Sequence, residues 1–137
     1  MPRHPQRLAL LPLLGLLPLG GCSDGAPGDD DMVPVADVST LMFTVIEPAA
    51  ETYWDAVGWI IDAEGETYIR PRSAEEWEIV RNAAFQITES GNLLKVKGRG
   101  GADDGAWMAY SAALTDIGLR AIEAAEAEDP QAVFDVG

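Results

Sequence analysis

Apolar residues three and four apart recur along most of this chain, and that spacing is the feature that most limits how it can fold. From Leu41 to Ile61 the sequence reads LMFTVIEPAAETYWDAVGWII. Met42, Ile46, Tyr53, Val57 and Ile60, with Ala49 completing the row, follow the period of one helix face. Glu47, Glu51 and Asp55, with Asp62 further on, form an acidic stripe on another face, so one side packs and the other meets water. Trp77, Val80, Ala84 and Ile87 repeat the design, as do Trp107, Tyr110, Leu114, Ile117, Ala121 and Ala125. No strand pattern is read, so the expected fold class is all-α. The expectation is an antiparallel four-helix bundle with helices over about 38–63, 73–90 and 104–128, and a truncated fourth over 130–137.

Capping residues set the expected boundaries. Asp37 or Ser39 can hold the first free amides of helix one. Pro48 lies inside that helix, where the uninterrupted period predicts a kink rather than a break. Glu64 to Arg72 carries Gly65 and Pro71 and reads as a connection. Ser73 with Glu76 forms a capping box at the start of helix two, and Gly91 is placed to end it in the left-handed conformation. Asn92 to Asp104 reads as a solvated loop, with Leu93 and Leu94 folding back on the core and glycines at 98, 100 and 101 marking a turn. It gathers Lys95, Lys97 and Arg99 but has neither GxxxxGK[ST] nor GxGxxG, so it is no phosphate cradle. Asp103 or Asp104 starts helix three, and Asp129-Pro130 starts the fourth.

The first residues have a different character. Arg3, His4 and Arg7 precede the apolar run LALLPLLGLLPLG, and Leu19-Gly20-Gly21-Cys22 follows. Basic, apolar and small-residue regions in that order read as a secretory signal over 1–21. The apolar run is too short to span a bilayer comfortably. Leu-Gly-Gly-Cys resembles the bacterial lipoprotein box, which implies cleavage before Cys22 and lipidation of its sulfur. Several acyl chains there would anchor the protein stably, where one would bind only marginally. Residues 22–36 are then a flexible tether, and 37–137 a helical domain on the periplasmic side of a bacterial membrane.

Cleavage sharpens the chemistry. It removes two of the nine basic residues and none of the 23 acidic ones, leaving seven bases and a net charge of −16. Such a chain does not track a phosphate backbone, so nucleic acid is excluded as a partner. His4 and Cys22 are the sole histidine and cysteine, so the exported domain carries neither imidazole nor free thiol. That excludes Ser-His-Asp and Cys-His nucleophiles, His or Cys zinc sites and disulfides. Carboxylates alone name no reaction, so no enzyme is expected and no catalytic or metal-binding residue is assigned.

The lipoprotein box followed by FTVIEPAAETYWDAVGWI, EEWEIVRNAAFQITESGNLL and WMAYSAALTDIGLRAIEAAEAEDPQAVFDVG resembles the cytochrome c′ and cytochrome c556 group, over Val38 to Gly137. In that group the fourth helix continues into Cys-x-x-Cys-His, whose thiols attach haem c and whose histidine ligates the iron. The resemblance implies electron transfer or gas-ligand haem binding, with Met42 matching the distal methionine of helix one. The residues alone read Met42 as a flexible core side chain. This sequence stops before the attachment motif, so no covalent haem is expected on it. It reads either as a truncated haem protein or as a haemless binding or scaffolding lipoprotein. The partners implied are the membrane, reached through lipidated Cys22, and a redox protein or a second copy of the chain.

Overall fold

The computed structural model describes residues 32–99, 101 and 104–137. The signal, Cys22 and most of the tether lie outside the described residues. The first helix, α1, runs without interruption through α-helical Val38–Leu41, π-helical Met42–Ile46 and α-helical Glu47–Trp54. Asp37, not Ser39, caps it, its Oδ1 accepting the Thr40 amide at 2.7 Å. The Thr40 amide and hydroxyl hold the Asp37 carboxyl below its ordinary range. Pro48 is absorbed by the turn before it, where the Glu47 amide donates to the Met42 carbonyl across a five-residue step. That wider turn accommodates a ring that would press on the carbonyl four residues back.

The helix expected to reach residue 63 ends at Trp54, and the all-α expectation fails there. Gly58–Asp62 is strand β1 and Gly65–Ile69 is strand β2, an antiparallel hairpin pairing Trp59 with Tyr68 and Ile61 with Glu66. The local chemistry explains the switch. Trp59, Ile60, Ile61, Thr67, Tyr68 and Ile69 are aromatic or β-branched and favour a pleated strand over a last helical turn. Asp62 Oδ1 accepts the amides of Glu64 and Gly65 at 3.0 and 3.1 Å, closing the turn between them. A lone hairpin is marginal in water, and this one is held by its rings. Trp59 stacks on Tyr68 at 4.9 Å and meets Phe134 edge-on at 5.2 Å.

Helix α2, Ala74–Leu93, begins at the expected capping box. Ser73 Oγ accepts the Glu76 amide at 3.2 Å, and the Glu76 carboxylate reaches back to the Arg72 amide. Trp77, Val80, Ala84 and Ile87 are all buried, as their spacing requires. Gly91 does not end the helix. It lies where α2 meets helix α3, Gly105–Glu126, and a Cβ there would sit 2.3 Å from Thr115 Oγ1 and 2.7 Å from the Ser111 carbonyl oxygen. Gly118 of α3 makes the reciprocal approach, its missing Cβ 2.8 Å from Thr88 Cα. Two glycines let the two antiparallel backbones touch.

Asp104 caps α3 through the amides of Ala106 and Trp107. At its far end Glu128 adopts φ 52, and the amides of Glu128 and Asp129 donate to the carbonyls of Ala125 and Ala124 at 3.2 Å each. This is the paired closure normally made by a left-handed glycine. Helix α4, Pro130–Val136, starts at Asp129 as expected and buries Val133 in the main core with Tyr53, Trp77 and Ala125.

Two measurements check this packing by chemical denaturation. Gly91→Ala should lose about 1–3 kcal/mol through overpacking, whereas Gly105→Ala, with nothing within 4 Å of its added methyl, should move stability by less than about 0.5 kcal/mol. Glu128→Gly should gain about 0.5–1 kcal/mol, because glycine meets no Cβ penalty at positive φ.

Candidate functional site: an apolar trough between the first and third helices

The face of α3 expected to be core is only partly so. Ser111, Gly118, Ala121, Ile122, Ala124 and Ala125 are buried, while Leu114 and Ile117 are half-buried and Tyr110 is 76% exposed. Trp107, Tyr110, Leu114, Ile117 and Ala121 instead line one wall of an open cavity of about 490 Å³. Met42, Ile46, Ala50, Tyr53 and Trp54 of α1 form the opposite wall, Ile87 and Leu94 contribute from α2 and its end, and Val136 closes one side. A second stripe of small residues on α3, at 111, 118 and 125, was the sequence signal that could have separated the packed face from the lining one.

Both ends of the trough are fixed by buried contacts. At one end Trp107 Nε1 donates to the Leu94 carbonyl at 2.9 Å, and its ring lies against Gly101, where a Cβ would come within 2.7 Å. Gly101 has φ 81, so both the backbone and the space there demand glycine. The loop expected to be solvated hides its arginine: Arg99 is 7% exposed. Its Nε donates to the Ala36 carbonyl at 3.2 Å and its NH1 to the Leu93 carbonyl at 2.5 Å. The guanidinium thus adds a second donor to the Leu93 carbonyl at the end of α2, which also accepts the Val96 amide at 3.4 Å. Leu94 and Val96 are buried beneath this loop as Leu93 points outward, a partial correction of the expectation that both leucines fold inward.

At the other end Tyr53 is 2% exposed, and its hydroxyl makes one long contact, 3.5 Å, to the Ala121 carbonyl. Burial pushes the phenol up to about 12 from its ordinary 10.0. The lining includes no carboxylate, ammonium or guanidinium side chain. Glu47, Glu51 and Asp55 face solvent on the far side of α1, as their stripe predicts. The trough therefore offers contact area and shape, with no group poised to move a proton at neutral pH.

Met42 sits at the mouth of the trough, 41% exposed, and is not a core residue. It could give an iron one thioether ligand. Haem c also needs attaching thiols and an imidazole, and the described residues contain neither cysteine nor histidine. The donor set does not fit that cofactor. Among the described residues no group of His, Cys, Asp and Glu side chains could hold a metal ion, and no helix is long and apolar enough to cross a membrane. Another, more polar hollow of about 690 Å³ beside Arg70 and Arg72 adjoins the start of α2, where Ser73 and Glu76 already occupy amides as caps. No family model, curated protein or solved structure matches the chain.

The Tyr53 environment gives a pH test. Between about pH 10 and 12 the folded phenol keeps a proton that the unfolded chain releases, so stability should fall as pH rises through this window. Tyr53→Phe removes that titration. Its denaturation midpoint should show a shallower decline above pH 10 than the parent, with little difference in slope below it.

Proposed function

We propose that this protein is a binding protein, not an enzyme, that accommodates an apolar small molecule in the trough between α1 and α3. The observation that carries the reading is a cavity of about 490 Å³ whose lining includes no charged side chain. Concave, mostly apolar hollows of several hundred Å³ are the usual form of small-molecule sites. The lipoprotein-type start at Cys22 adds a location: the domain works outside the cytoplasm, tethered to a bacterial membrane by lipid. Net charge of −16 after cleavage disfavours lying flat on anionic headgroups and suits a domain held off the surface.

The second reading is the electron-transfer role implied by resemblance to the cytochrome c′ group, and Met42 at the mouth of the trough is the observation that favours it. Ligand binding without haem is the better supported of the two, because it uses every residue of the lining. The redox reading uses one, and no thiol or imidazole is present among the described residues to complete it.

Binding is tested on the full-length Cys22→Ser protein with a neutral naphthylamine dye. Its emission should shift to the blue and saturate at one dye per chain. Ile117→Asn, which puts an amide in the wall, should weaken binding at least tenfold, while Asp55→Asn on the solvent face should leave it unchanged. A parallel detergent phase separation of parent and Cys22→Ser protein should place the parent in the detergent phase and the variant in the aqueous one.

A further inference from the structure

We infer that Ser111 is the polar anchor of the trough, a specificity-setting residue that receives one neutral oxygen of the ligand. The ligand class that follows is a free, uncharged small molecule with a hydroxyl or carbonyl group on an apolar body; this rests on the binding reading above.

The other buried or half-buried helical hydroxyls of α2 and α3 are all accounted for. Thr88, Ser90 and Thr115 each donate to the carbonyl four residues back, at 2.7, 2.6 and 3.2 Å. That return bond is a common way for a serine or threonine inside a helix to satisfy itself. Ser111 does not make it. Its carbonyl accepts from Thr115, but its own hydroxyl has no hydrogen-bond partner among the described residues.

Burial decides where that hydroxyl opens. Ser111 is 2% exposed, and its backbone is pressed to α2, the carbonyl oxygen 2.7 Å from the Cβ that Gly91 lacks. Among the described residues no side-chain nitrogen or oxygen is both sealed from solvent and unpartnered. The accessible remnant of Ser111 is therefore at its hydroxyl, and the space it borders is the back of the trough. A serine hydroxyl can donate one bond and accept others. Unpaired against an apolar hollow it costs free energy, which a ligand oxygen there removes.

No other lining group offers the same. Trp107 Nε1 is committed to the Leu94 carbonyl, and the Tyr53 hydroxyl leans on Ala121. Trp54 and Tyr110 stand mostly in water. Ser111 lies one turn from Trp107 and about 15 Å from Ala121 along α3. The ligand oxygen therefore sits near the Trp107 end, with the apolar body extending toward Tyr53. The lining holds no charged side chain, so a carboxylate at Ser111 would be buried without a counter-charge, and the oxygen must be neutral. The molecule arrives from solution. A second copy would set one net charge of −16 against another, and acyl chains that hold Cys22 in the bilayer are not also in the trough.

The test uses the full-length Cys22→Ser protein and two probes: a dialkylated naphthylamine dye carrying a ketone, and the same dye with a methylene in place of the carbonyl. Ser111→Ala should weaken the ketone dye about three- to tenfold and leave the methylene dye within about twofold. Emission of the bound ketone dye should also move to the blue in the variant, because the hydrogen bond to its carbonyl is gone. Thermal stability should hold or rise, since the hydroxyl removed has no partner in the fold. Ser111→Cys, close in size but a weak donor, should give an intermediate loss. A carboxylate version of the dye should bind at least about tenfold more weakly than the ketone. Equal loss of both dyes in Ser111→Ala, no loss of either, or a carboxylate that binds as well as the ketone would overturn the anchor and leave the binding reading standing. Neither dye binding at all would remove both. Lipidated parent protein should take up the ketone dye as Cys22→Ser does, read as the signal lost in Ser111→Ala. Refusal would put the protein's own anchor in the site, and one dye per two chains would put a second copy there; either result overturns the free ligand.

Discussion

The rest of the molecule depends on the close approach of α2 and α3. Where Gly91 faces Ser111 and Thr115, and Gly118 faces Thr88, there is no room for a single added methyl group. Ser90 and Ala84 of α2 and Ala125 of α3 are likewise small and essentially inaccessible to water. Small residues lose less on ordering than large ones and let dispersion contacts act between backbones. The seam fixes the rotation of α3. Ser111 and Gly118 meet α2 at Gly91 and Thr88 and form the back of the trough, so Trp107, Leu114 and Ile117 line its wall opposite α1. The first helix carries Ile46, Tyr53 and Trp54 on that side and cannot close as tightly. A tight pair and a loose third helix are one geometric fact, and the trough is its consequence.

Much of this was legible from residue types alone. The three long helices, the caps at Asp37, Ser73, Asp104 and Asp129, and the buried row Trp77–Val80–Ala84–Ile87 all follow from local spacing and side-chain hydrogen bonding. Those signals act within a few residues, so a single chain displays them. The hairpin was missed because Val57 and Ile60 extend the helical period of α1 by coincidence. Tyr68 and Phe134, which stabilise the alternative around Trp59, come from other elements. Gly91 misled for the opposite reason: a glycine near a helix end suggests a local stop, whereas here it answers a neighbour 24 positions further on, Thr115.

The candidate site divides along the same line. Met42 was visible as a helix-one residue of note, and the structure does place it on the trough. Whether an apolar stripe is packed or open depends on how closely its neighbour approaches, which spacing does not encode. Arg99 illustrates the limit most sharply. In sequence it is one of three clustered cations, and in the fold its donors are turned inward onto two backbone carbonyls. Burial of a guanidinium is tolerated when its N–H groups find acceptors, and those acceptors lie 63 and six positions away.

The arginine clasp also determines how the domain is held. Ala36 is the last residue before the cap of α1, and its carbonyl is tied by Arg99 to the same side chain that grips Leu93 at the end of α2. A pull along the preceding chain is therefore borne first by this two-point grip, upstream of Met42 and the π-helical turn. Load passes into the helix pair held in close contact at Gly91 and Gly118, and the α1 wall of the trough stands outside the line of force.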